Sequence, residues 1–92
     1  MPVFVIVAEA NERTLSERIR ETFPEAARYR LTTNAWLVDY EGTTRALSEA
    51  LGMRSASPDR ITAIAFPISN WSGFFTNDVW EWLKLHGTRG EN

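Results

Sequence analysis

Glu9, Asn11 and Glu12 stand together where the first apolar run of the chain, Pro2-Val-Phe-Val-Ile-Val-Ala8, gives out. A strand ending there leaves carboxylates and an amide at its carboxyl edge, the first place to look for chemistry. The ordinary reading makes Glu9 and Glu12 solvated loop acids and gives Asn11 the turn. His86 is the sole histidine and falls near a helix C-terminus, where a cap is its common role. Ser69, Ser72 and Thr76 have no second histidine or evident base to activate them. No glycine-rich phosphate loop is present, and a single histidine rules out HxH and HxxxH zinc spacings. The absence of cysteine removes disulfides, thiolate chemistry and cysteine-ligated zinc.

Arginine and aromatic side chains are the other candidates. Arg28 and Arg30, with Arg13, Arg18 and Arg20, form a possible phosphate-facing patch beside Tyr29. A salt-bridged surface shared with Glu17, Glu21 and Glu25 is the commoner outcome for such charges. Trp71, Phe74 and Phe75 can stack on bases or on a partner, or close one end of the core or a dimer seam. The chain carries a formal charge of −2 and a pI near 5.3, so it has no general basic field and any nucleic-acid contact must be local. Nine of the ten basic residues are Arg, which a GC-rich genome explains as readily as phosphate recognition.

The elements that position these groups follow from periodicity. Val3 to Ala8 is apolar on both alternating faces and reads as a central strand covered on both sides. Thr14-Leu-Ser-Glu17 matches a capping box, and Leu15, Ile19 and Phe23 give the following helix an apolar stripe that Pro24 ends. A second strand is expected over Ala27 to Leu31, with Tyr29 and Leu31 on one side and the arginines on the other. After a turn at 32–34, Ala35 to Tyr40 forms the third strand. Thr43 or Thr44 caps a short helix that Gly52 terminates. Met53 to Asp59 reads as a surface loop, and Ile61 to Ile68 as a fourth strand whose Pro67 suits an edge. A last helix covers Thr76 to His86, with Val79, Trp82, Leu83 and His86 on one face and Trp80 beside it.

The order predicts an α+β, ferredoxin-like βαββαβ sandwich with a four-stranded antiparallel sheet and an additional C-terminal helix. One domain over 1–86 and a flexible tail over 87–92 are expected. Strands one and three are central and two and four lie at the edges. With 92 residues, such a domain buries about 60 to 65% of its unfolded surface. Two helices on one side leave the other apolar face bare, so either the terminal helix or a second subunit must cover it, and a homodimer is expected. Val3 to Ala8 is too short to span a bilayer and lacks a basic leader, which makes the default a cytoplasmic protein without membrane partners.

Three stretches carry a family resemblance: Val5-Ile-Val-Ala-Glu-Ala-Asn11, Thr33-Asn-Ala-Trp-Leu-Val38, and Trp71-Ser-Gly73 leading to Trp82-Leu-Lys84. Together they resemble the small SinR-like proteins, which are similar to the CRISPR-associated endoribonuclease family. The resemblance implies a ferredoxin-like fold and a dimer. In the nuclease branch it implies an Asp at the end of strand one that binds a divalent metal, Mg or Mn, at the dimer interface. Glu9 stands at that position, one methylene longer. Two functions follow: a non-catalytic dimeric module that binds protein or nucleic acid, and alternatively a metal-dependent endonuclease of RNA or DNA with Glu9 as catalytic and metal-binding residue. The binding residues expected are Asn11, Arg13, Arg28, Arg30, Trp71, Phe74 and Phe75.

Overall fold

The run of β-branched residues at the start of the chain becomes β1 (Val3–Ala10), paired on both sides. The computed structural model describes residues 3–53, 61–68, 70–72, 77–86 and the backbone of 89–90. Elements follow in the order β1, α1 (Glu12–Thr22), β2 (Arg28–Thr32), β3 (Ala35–Asp39), α2 (Thr44–Ala50), β4 (Thr62–Ile68), β5 (Asn70–Trp71), α3 (Asn77–Leu85) and β6 (Arg89–Gly90). A single 3-10 turn, Glu25–Ala27, precedes β2. The main sheet is four-stranded and antiparallel, ordered β2-β3-β1-β4, so β1 and β3 are central. The short β5 and β6 pair in parallel with each other. No described helix is long and apolar enough to cross a membrane.

Alternation along β1 divides its side chains between two cores. Phe4, Ile6 and Ala8 join Trp36 and Val38 of β3 under α1 and α2, against Leu15, Ile19, Phe23, Leu47 and Leu51. Val3 and Leu37 face the other way and pack on Val79 and Leu83 of α3, with Val5, Tyr29, Leu31 and Ile68 around them. The terminal helix therefore covers part of the second face. Beyond it Val7, Ile64 and Phe66 remain 43%, 54% and 46% exposed.

Helix boundaries follow local chemistry, with one correction. The capping box expected at Thr14 and Glu17 is not used, because α1 starts at Glu12 behind Asn11. Asn11 takes the left-handed conformation, φ 60°, which Asn tolerates better than most residues. Thr43 caps α2 as expected, its Oγ1 accepting the Ala46 N–H at 3.0 Å. At the other end Gly52 has φ 73° and donates to the Glu49 carbonyl, while Met53 donates to that of Ser48, the paired bonds of a Schellman stop. Replacing Gly52 with Ala forces a Cβ into the left-handed region and is expected to cost about 1 kcal/mol, lowering Tm by about 4 to 8 °C. Thermal unfolding followed by circular dichroism checks this, and an unchanged Tm would show that the turn relaxes freely.

Candidate functional site

Alternation along β2 puts Arg28 and Arg30 on the α1 side of the sheet and Tyr29 on the α3 side, so the expected patch beside Tyr29 does not form. The two arginines also part company. Arg28 Nη1 donates to the Phe23 carbonyl at 2.6 Å and fastens the end of α1 to β2. Arg30 donates from Nε to the Thr32 carbonyl at 3.2 Å and from Nη2 to that of Thr33 at 3.0 Å. Its guanidinium lies 5.3 Å from the centroid of the Trp36 ring, a cation–π contact. Below it, Trp36 donates from Nε1 to the buried Ser16 hydroxyl at 3.2 Å. The Arg30 head is thus fixed before any ligand arrives.

Arg30 forms one wall of a groove of about 500 Å³ between α1 and the β2–β3 turn, lined also by Glu12, Arg13, Ser16, Glu17, Arg20 and Thr33. Arg13 and Arg20 are two helical turns apart, about 10 Å along the axis. Neither makes an ion pair with a described residue. Asn11 holds the entry to α1 beside this groove, and Phe74 and Phe75 lie outside the described residues. Trp71 stacks flat on Trp80, with centroids 4.4 Å apart and planes at 2°, on the opposite face of the sheet.

Glu9 lies one residue before the end of β1, at the β-bulge between Ala8 and Ala10, and is exposed, next to Val7, Thr62 and Ile64. Among the described residues no three His, Asp or Glu side chains are grouped to hold a metal. Mg²⁺ prefers a near-octahedral shell of oxygen ligands. The single chain offers it one carboxylate at this position, so the donor set of one protomer does not fit the ion.

Asp39, which the sequence analysis did not single out, is the partner of His86. His86 Nδ1 and Asp39 Oδ2 are directly hydrogen-bonded, joining the end of α3 to the end of β3. The imidazole stacks on Trp82 at 4.0 Å, and Trp82 in turn meets Tyr29 at 6.2 Å. The Asp39 side chain is 6% exposed and that of His86 17%. Asp39 Oδ1 and Trp82 Nε1 are buried without a hydrogen-bond partner. A carboxylate-backed imidazole is one half of a proton-transfer device, but no hydroxyl or thiol among its described contacts completes a triad. Here the pair acts as the polar clasp of α3, and replacing His86 with Ala leaves a buried carboxylate without its partner. A loss of about 3 kcal/mol in urea unfolding is expected, with a double replacement that also removes Asp39 costing less than the sum of the single ones. Strict additivity would show that the two side chains act independently. No protein-family model matches this chain, and no curated protein matches it.

Proposed function

We propose that this protein is a small non-catalytic interaction module, dimeric and ferredoxin-like in build, that grips nucleic acid through the Arg13–Arg20–Arg30 groove. The sheet order β2-β3-β1-β4, with α1 and α2 packed on one face, supports the ferredoxin-like part of the reading. The kinship with SinR-like and CRISPR-associated proteins belongs to the same proposal and rests on the three sequence stretches alone. The observation that carries the function is the groove itself: two arginines without ion pairs on one helix face, opposite a third that is already held in place. Fixing a guanidinium in advance reduces the entropy lost when it meets a phosphate.

Glu12 and Glu17 line the same groove and weaken its field, so binding is modest and strongly salt-dependent. Stacking contributes little, since Trp36 is buried beneath Arg30. The ligand is therefore gripped by its backbone. Titrating a labelled single-stranded RNA at several salt concentrations tests this. The Arg13→Ala/Arg20→Ala double variant is expected to bind at least tenfold more weakly, with a slope of log affinity against log salt that is shallower by about 1.4. Equal binding and equal slope in wild type and variant would overturn the reading.

The alternative, a metal-dependent endonuclease, has one observation in its favour. Glu9 lies on the face of β1 that also exposes Val7, so pairing two chains through that face would bring a second carboxylate to the seam. RNA and duplex DNA incubated with Mg²⁺ or Mn²⁺ separate the two readings. Cleavage by the wild type that Glu9→Ala abolishes establishes the nuclease, and no cleavage, or cleavage unaffected by the substitution, dismisses it.

A further inference from the structure

Two carboxylates are out of place in a groove that holds phosphates. Glu12 sits in the first turn of α1, where an acid complements the helix dipole. Glu17 has no such role. It lies on the groove wall between Arg13 and Arg20, about 6 Å along the axis from the first and about 4.5 Å from the second. Arg45 and Glu49 on α2 have the same four-residue spacing as Arg13 and Glu17, and they pair at 3.5 Å. Among the described residues no ion pair joins Glu17 to Arg13, Arg20 or Arg30. An open carboxylate on the α1 wall is thus set against a guanidinium on the other.

A guanidinium has five N–H donors. Nε and one hydrogen of Nη2 are engaged by the Thr32 and Thr33 carbonyls, which fills that side of the Arg30 fork. The end of the fork, one N–H from each of Nη1 and Nη2, stays free for two adjacent acceptors. A phosphate lying between this fork and Glu17 would meet a carboxylate of its own sign. A neutral group with two donors on one edge and two acceptors on the next would satisfy both walls. Guanine is such a group: N1–H and the N2 amine suit a carboxylate, and O6 and N7 suit an arginine fork. Adenine has an acceptor in place of N1–H and a donor in place of O6, so it is mismatched on both walls.

We propose that the groove selects one guanine of a single-stranded RNA, with Glu17 accepting from N1–H and N2–H and the free end of Arg30 donating to O6 and N7. Arg13 and Arg20 grip the phosphates on either side. This rests on the nucleic-acid reading above and deepens it, because phosphate contacts place a strand while base contacts select it. The order of groups matches: a nucleotide lies between its two phosphates as Glu17 lies between the two helix arginines. The preset head of Arg30 serves the base, and the volume of about 500 Å³ is within the range of small-ligand sites.

Fluorescence anisotropy of the full chain is the test, using labelled short oligoadenylate RNAs whose central base is A, G, C or inosine. Near-ultraviolet circular dichroism confirms that each variant is folded. Wild type is expected to bind the G strand at least about fivefold more tightly than the A and C strands, the low end of what one bidentate base contact discriminates. Inosine, which lacks the N2 amine, should fall in between. Glu17→Gln turns one acceptor into a donor and should erase the preference for G over A. Glu21→Gln removes the same charge from α1 outside the groove lining and should leave the preference unchanged. Equal affinity for all four strands, with binding still weakened by the Arg13→Ala/Arg20→Ala variant, overturns the guanine site and leaves the phosphate grip. A preference for G that survives Glu17→Gln, or that Glu21→Gln removes equally, overturns the role given to Glu17. No binding to any strand overturns both readings.

Discussion

From Val3 to Ala8 the strand β1 is apolar on both faces, and the architecture answers that constraint. Phe4 and Ile6 point into one core while Val3 and Val5 point into another, so each face of the sheet needs its own cover. On the first face the two helices of the split halves supply it and bury Leu15, Ile19, Leu47 and Leu51 almost completely. On the second, the nine residues of α3 lie over one end of the sheet, in a cluster that draws on all four strands. They shield the end near Val3 and Leu37 and stop before Val7 and Ile64. The exposed patch is thus a geometric remainder of how much helix the chain devotes to that side. It lies on the face that the Asp39–His86 clasp also serves.

Much of this was legible in the residues, because the signals were local or strictly periodic. An apolar run with no polar alternation in Val3 to Ala8 predicts a central strand. Thr43 or Thr44 and Gly52 predict the ends of α2, since a hydroxyl before a helix satisfies unpaired N–H groups and a glycine after it lets the chain turn back onto unpaired carbonyls. The start of α1 was misread for the same reason in reverse. Thr14 and Glu17 have the spacing of a capping box, but the left-handed turn at Asn11 opens the helix three residues earlier, and backbone conformation leaves no spacing to read.

The sites were less legible, because their members come from separate elements. Arg13, Arg20 and Arg30 meet only once β2 lies beside α1. Alternation had already put Arg28 on the same side as Arg30, yet which guanidinium would be tied to a helix end and which to the turn depends on where those loops pass. Asp39 and His86 are 47 residues apart, and their pairing requires α3 to return across the sheet. One signal was available: His86 shares the apolar face of Val79 and Leu83, where a polar ring needs a partner waiting beneath it.

The second face of the sheet is covered by α3 at one end and bare at Val7, Ile64 and Phe66 at the other. A dilution series of methyl NMR spectra probes this residue by residue. With the proposed dimer, Val7 and Ile64 methyls shift with concentration while Val3 and Leu37 beneath α3, and Ile19 and Leu47 in the opposite core, hold still. Shifts confined to the α1 and α2 side, or none at any concentration, would contradict it.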